Sequence, residues 1–178
     1  GNATSWEKAQ FDIISNEGCG TNSFPVPFAG KIVCVDAYEY PNQVDALPRD
    51  MVTQPEAVAL CAKEGKHLCS LGEWQASCKG KENSRYPYGN QYNEKICATT
   101  QKKADRSGRK EACRSWWGMY DLSGNLWEWT STPNASRNNF YEVAGGSWNT
   151  QDESSCLSTK FSFYPQNQYP FVGFRCCK

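Results

Sequence analysis

The stretch that decides the reading is "GMYDLSGNLWEWTSTP", Gly118 to Pro133. It sets Trp127 and Trp129 beside Asp121, Asn125 and Glu128, between Gly118 and Gly124 and the closing Pro133. Loops rarely place that much aromatic surface next to that many oxygen ligands. The segment reads as a metal site, a sugar platform or the middle of a core. Alternation in "LWEWT", residues 126–130, separates these possibilities in part. An extended strand turns successive side chains to opposite faces, so Trp127 and Trp129 share one face and Glu128 takes the other. The indoles are expected in the core and the glutamate on the polar side.

Working outward, the 178 residues are the size of one domain and enough for a real core, and a single domain over 1–178 is expected. Nineteen basic and nineteen acidic residues cancel, which leaves no electrostatic case for nucleic acid or an anionic membrane. No apolar run approaches the ~18 residues needed to span a bilayer, so direct membrane insertion is not expected. No signal peptide leads the chain, so an exported protein is read here in mature or trimmed form.

Cysteine usage points to the compartment. Cys19, Cys34, Cys61, Cys69, Cys78, Cys97, Cys113, Cys156, Cys176 and Cys177 are even in number and scattered, with no C-x-x-C pair of a zinc ribbon or redox motif. Dispersed thiols of this kind read as disulfides, and hence as an extracytoplasmic chain: secreted, periplasmic or on a cell surface. Their pairing is open, with one limit. Cys69 and Cys78 flank one short helix roughly 12 Å apart along its axis, too far to bridge. Asn2-Ala3-Thr4 and Asn134-Ala135-Ser136 are formal glycosylation sequons. His67 is the only histidine, which excludes a histidine-rich iron or zinc site built from this chain alone. Its place between two helices suits a packed or hydrogen-bonded side chain better than a catalyst.

Regular structure is sparse. "GKIVCVDAYEYPN" predicts a strand from about Lys31 to Tyr40, broken by Pro41. "TQPEAVALCAKEG" predicts a helix, with Thr53 and Glu56 at capping-box spacing, Pro55 in the first turn and Gly65 past the end. "SLGEWQASCKG" repeats the device with Ser70, Glu73 and Gly80. Between Lys102 and Arg114 six basic residues face Asp105 and Glu111. That run suits either an anionic ligand or, more simply, a solvated loop stapled at Cys97 and Cys113. "LWEWTS", "EVAGGSW" and "FVGFRCC" predict short strands near the end. The expected class is α+β, with two short helices, several short strands and much loop.

"VCVDAYEYPN", "GKHLCSLGEWQASCKG", "YPYGN", "GMYDLSGNLWEWT", "GGSW" and "GFRC" occur in one order from about residue 34 to 177. Together they resemble the formylglycine-generating enzyme family, the sulfatase-modifying-factor domain. The resemblance implies a loop-rich variant of the C-type lectin fold, disulfide-stapled, whose last strand returns near the first and whose loops present the ligand site. It also implies a structural calcium ion held by the Asp121 carboxylate, the Gly124 and Leu126 carbonyls and the Glu128 carboxylate, a hard-oxygen set of the kind calcium takes. The family's second calcium segment matches residues 93–108, where no run of ligands stands out, and it is not carried over.

The family's chemistry is where the match fails. Its copper-binding cysteine pair lies two and seven residues past the last aromatic of the segment matching "GGSW", which lands on Thr150 and Ser155. Soft sulfur selects Cu(I), and hydroxyls cannot replace it. Cys156 lies one residue past the second position and is expected to pair with Cys176 or Cys177. A single histidine cannot supply the triad of the iron branch. Neither copper nor iron is expected, and the enzyme question leans to a non-catalytic member.

The segment 149–171, "NTQDESSCLSTKFSFYPQNQYPF", is rich in Asn, Gln, Ser, Thr, Tyr and Phe, residues that make an adaptable contact surface. In retroelement-diversified C-type-lectin-like proteins that this chain resembles, variable positions occupy the same C-terminal region. The candidates for ligand contact are Tyr164, Gln166, Asn167, Gln168 and Tyr169, with Arg137, Asn138, Asn139, Phe140 and Tyr141 in the preceding loop. At least two of Phe161, Phe163 and Phe171 are expected in the core. Three readings stay open. One is an adhesin-like or receptor module for a protein or glycan ligand, including one on another cell surface. The second is an oxidase with a rearranged thiol site at Cys156, Cys176 and Cys177. The third is a structural domain of a larger surface assembly.

Overall fold

Two capping boxes set the helices. In the computed structural model, which describes residues 18–178, Thr53 accepts the Glu56 amide while the Glu56 carboxylate accepts the Thr53 amide, and α1 (Gln54–Lys63) begins there. Ser70 and Glu73 do the same for α2 (Leu71–Lys79). Each box satisfies two N–H groups that a helix start otherwise leaves orphaned. The Asn2 sequon lies outside the described residues. Among those residues no helix is long and apolar enough to cross a membrane.

The strands form two four-stranded sheets. In chain order they are β1 (Ser23–Phe28), β2 (Lys31–Asp36), β3 (His67–Leu68), β4 (Trp127–Pro133), β5 (Tyr141–Ala144), β6 (Thr159–Lys160), β7 (Val172–Gly173) and β8 (Cys176–Cys177). One sheet runs β1-β2-β8-β3 and the other β6-β5-β4-β7, with β4 and β7 parallel and the remaining pairs antiparallel. Beyond β8, Cys34 and Lys178 exchange both backbone hydrogen bonds at 2.7 and 2.8 Å, so the chain's end lies against its second strand. This is the return of the last strand that the resemblance implied.

Several elements differ from expectation for identifiable reasons. The strand predicted to reach Tyr40 stops at Asp36, because the Ala37 amide turns to the Asn22 carbonyl and the Tyr40 amide to that of Phe174. β1 carries Pro25 and Pro27, which argue against a strand, yet it is the edge of its sheet, where missing N–H groups can face away from the ladder. "FVGFRCC" is two strands rather than one: β7 belongs to the second sheet and β8 to the first. The chain crosses between sheets at Phe174 and Arg175.

All ten cysteines are paired: Cys19–Cys34, Cys61–Cys176, Cys69–Cys177, Cys78–Cys156 and Cys97–Cys113. Cys69 and Cys78 take separate partners, as their helix requires. Cys156 does not pair with Cys176 or Cys177, because those two are drawn to α1 and to the end of β3, leaving Cys156 to the tail of α2. Five bridges mark a chain that folds in an oxidising, extracytoplasmic compartment. Three of the bridges run through the core itself. Cys69, Cys78, Cys156 and Cys177 pack with Trp74, Val35, Met119 and Leu122, while Cys61 and Cys176 pack with Leu68, Trp127, Trp129 and Phe174.

Candidate functional site

The opening segment resolves into core and polar node together. Trp127 and Trp129 are buried at 3% and 1% exposure, and the Trp129 indole N–H donates to the Val52 carbonyl at 2.9 Å. Glu128, on the other face, is buried as well, because Arg175 lies against it between the sheets. The Arg175 Nε and Nη2 donate to Glu128 at 2.9 and 2.8 Å, and the Trp74 indole donates to it at 2.8 Å. Nη1 donates to the carbonyls of Asp36 and Ala37, and Nη2 also to that of Tyr120. A planar guanidinium can satisfy so many acceptors at once; a lysine cannot.

A second layer of acid surrounds this pair. Glu39 is fully buried and accepts from the Asn125 side chain, the Leu126 amide and the Ser107 hydroxyl. Burial, then the charges of Asp121 and Glu128, push its carboxyl well above the usual range. Asp121 accepts the Gly108 amide at 2.8 Å, and burial pushes its carboxyl up to about 7 against the opposing pull of that amide and of Arg175. Three buried carboxylates therefore face one guanidinium. Surplus buried charge must be neutralised by a proton or a cation.

That surplus would suit a calcium ion. Asp121 lies in the loop that leads into β4 and Glu128 on β4 itself, with Gly124 between them at φ +76°, where an added Cβ would run into the Ala98 carbonyl. Asp121 accepts the Gly108 amide, whereas Glu128 already accepts four hydrogen bonds from Arg175 and Trp74 and would have to give one up to reach an ion. Asp121, Glu128 and the Gly124 and Leu126 carbonyls would hold the ion, supplying hard oxygens and gaining a clamp on the turn. Among the described residues, the side-chain groups of three with metal-like spacing are His67, Glu73 and Cys177, and Asp36, Glu64 and Cys176, and the sulfurs of both are in disulfides.

At the positions matching the family's thiols, hydroxyls are tied into a tight bend. Thr150 precedes a short 3-10 turn, Gln151–Glu153; its hydroxyl donates to the Ser147 carbonyl, accepts the Ser147 amide at 2.9 Å and meets the Ser154 hydroxyl. The Ser155 hydroxyl pairs with that of Ser158 at 3.0 Å. Both side chains are spent on loop geometry.

The two ligand-candidate loops, distant in sequence, come together. Arg137 lies 3.5 Å over the Phe140 ring and 5.6 Å from that of Tyr164, and the two rings sit 5.3 Å apart. Tyr164 is 55% exposed. The Tyr169 hydroxyl accepts the Tyr164 amide, the Asn167 amide nitrogen donates to the Tyr164 carbonyl, and Gln168 reaches Glu56 of α1 at 3.4 Å. Asn138, Asn139, Gln166, Asn167 and Gln168 are exposed, and Tyr141 is half-buried in β5. Behind them Phe163, Tyr169 and Phe171 form a ring cluster with centroids 5.2 to 5.4 Å apart, reaching Trp127 in the core. Phe163 and Phe171, half-buried, pack against the core, whereas Phe161 is 45% exposed.

Other expectations find their places. His67 is hydrogen-bonded, its Nε2 at 3.0 Å from Glu73. The basic run is largely a solvated loop closed by Cys97–Cys113, with Arg109 paired to Asp45 and Asp105. The Asn134 side chain donates to Glu142 at 2.7 Å. Sequence reasoning assigned no role to Arg175 or Glu39. Their signal was a lone arginine inside "GFRC" and a glutamate set between Tyr38 and Tyr40.

Residues 34–178 match the sulfatase-modifying factor enzyme 1-like domain. Inactive C-alpha-formylglycine-generating enzyme 2 of Mus musculus is 29% identical over 149 residues, covering 73% of this chain and 48% of that one. The chain spans about half the length of the curated relatives it matches. Among solved structures, Treponema denticola variable protein 1 aligns with a TM-score of 0.70 at 14% identity, over 88% of this chain and 91% of that one. The Major Tropism Determinant U1 variant aligns with a TM-score of 0.59 at 15% identity, over 88% and 55%. These two likenesses show the fold. With four-fifths of its length matched, this chain belongs to the sulfatase-modifying factor enzyme 1-like domain family.

Proposed function

We propose that the domain is a non-catalytic recognition module, secreted or displayed on a cell surface in an adhesin-like or receptor role. It contacts a protein or glycan ligand through the loops Arg137–Tyr141 and Tyr164–Tyr169, and calcium serves it structurally at Asp121 and Glu128. The observation that carries this reading is the fate of the thiols. Thr150 and Ser155 stand where the family's copper ligands fall, and all ten cysteines are held in disulfides. A rearranged site at Cys156, Cys176 and Cys177 has no thiol to work with in this pairing. A mouse relative named as inactive, and structural neighbours named for variability and for tropism, support recognition over turnover.

The contact surface has the chemistry of a binding hot spot: arginine and tyrosine, rigidly backed by rings and rimmed by amides. The test is binding of labelled protein to a panel of immobilised glycans and cell-surface proteins, beside an Arg137→Ala/Tyr164→Ala double variant. The reading expects at least a roughly tenfold loss with an unchanged melting temperature. Equal binding by both proteins would remove these loops from the account. A second reading, a structural part of a larger surface assembly, draws on Val44, Leu47 and Met51, which expose 61%, 60% and 45% of their surface along one loop.

A further inference from the structure

We propose that the cleft between the end of α2 and the bend at Arg114–Trp116 is a second ligand site, and that it takes an acidic saccharide. The cleft encloses about 420 Å³ and is lined by Lys79, Glu82, Tyr88, Arg114, Ser115 and Trp116 among others. That volume falls in the range of small-ligand sites, about 300–1,000 Å³. It shares no lining residue with the loops Arg137–Tyr141 and Tyr164–Tyr169.

Its two aromatic walls are fixed from behind. Trp116 leaves 59% of its surface in water, an unusual fate for an indole on a stapled loop. It is seated by Gly80, at φ +62° past the end of α2, where an added Cβ would lie 2.6 Å from the Trp116 Cβ. The Cys97–Cys113 bridge and the Ser115 amide, bonded to the Met119 carbonyl, hold the same bend. Across the cleft, Tyr88 stacks on Tyr86 at 5.5 Å and 12°, and its hydroxyl accepts the Asn93 amide. Tyr86 is itself buried, with its hydroxyl donating to the Asp152 carbonyl at 2.7 Å.

Charge selects the ligand. Lys79 and Arg114 line the cleft, and the Lys81 ammonium lies 4.0 Å from the Trp116 ring centroid, against Glu82 alone. Ion pairs among the described residues engage Lys66, His67, Arg109 and Arg175, and none of these three cations. The exposed Trp116 ring and the half-exposed Tyr88 ring offer area to the C–H face of a pyranose, Glu82 offers hydrogen bonds to its hydroxyls, and Arg114 forks onto a carboxylate or sulfate. A lining that mixes ring surface with charged side chains suits a sugar, which presents both an apolar C–H face and hydroxyls.

The test is an array of sialylated, glucuronate-containing, sulfated and neutral glycans. It is probed with the wild type, Trp116→Ala, Arg114→Gln and the Arg137→Ala/Tyr164→Ala double variant. Signal is expected on acidic chains only, falling at least about tenfold in each of the first two variants and unchanged in the third. The carboxylated and sulfated arms tell which anion is read. Both exposed substitutions are expected to keep the wild-type melting temperature, which separates lost binding from lost folding. Absence of acidic-glycan signal, equal signal on neutral chains, or loss only in the double variant would overturn the site while leaving the proposed recognition loops to their own test.

Discussion

Arg175 has no exposed surface, and its guanidinium meets Glu128 and the carbonyls of Asp36, Ala37 and Tyr120. Removing one partner of such a pair leaves an uncompensated buried charge. Arg175→Leu is therefore expected to lower stability by about 3–5 kcal/mol in chemical denaturation. Arg175→Lys is expected to recover little of this, since an ammonium lacks the planar fork. Asp121 carries a second prediction. Its folded-state pKa of about 7 lies above its ordinary 3.8. The stability it contributes is present below that ordinary value and lost as pH rises through about 7, because the folded state binds the extra proton. Calcium-free protein is thus expected to melt higher at about pH 5 than at about pH 8 on this group's account. Millimolar calcium is expected to raise the melting temperature at the higher pH, and Asp121→Asn to abolish that rise. A wild type indifferent to calcium would leave protons as the neutralising charge. At this scale the sequence placed the indoles correctly, since strand alternation alone decides them. It could not say that Arg175 and Glu39 would meet near Glu128, because those contacts span 47 and 86 or more residues.

The helices are the elements most legible in the chain. Thr53/Glu56 and Ser70/Glu73 are local devices, complete within four residues, and both form as spaced. Strands are less so. β1 hides behind two prolines that an edge position tolerates, and "FVGFRCC" conceals a change of sheet, since short pairings take their partners from far along the chain. Disulfide pairing was equally out of reach, apart from the helix geometry that kept Cys69 from Cys78. Cys61–Cys176 and Cys69–Cys177 close loops of 115 and 108 residues onto the same two-residue strand. Each is a redundant closure of the other. Replacing one pair by serines is expected to cost toward the low end of about 2–5 kcal/mol, and replacing both to cost more than the sum, measured by denaturant unfolding. Simple additivity would mean the two bridges hold β8 independently.

Across the whole molecule, two small sheets are joined by a crossing chain, a buried ion pair and five disulfides, three of which thread the core. Such a frame leaves long loops free to carry surface chemistry. The ring cluster from Trp127 out to Tyr169, whose hydroxyl accepts the Tyr164 amide, links frame to surface on one side, and the Trp116 cleft lies on another set of loops. The family motifs made the fold readable because they are strung in order along the chain. The proposed contact surface was readable only as composition, since Arg137 and Tyr164 become neighbours through folding alone. This frame uses its cysteines as staples and keeps none as a free thiol. A free-thiol count on the denatured, unreduced protein, followed by copper(I) titration of the native form, tests this directly. No free thiol and no tight copper binding are expected. Two free thiols with tight copper binding would contradict it and return the chain to the catalytic side of its family.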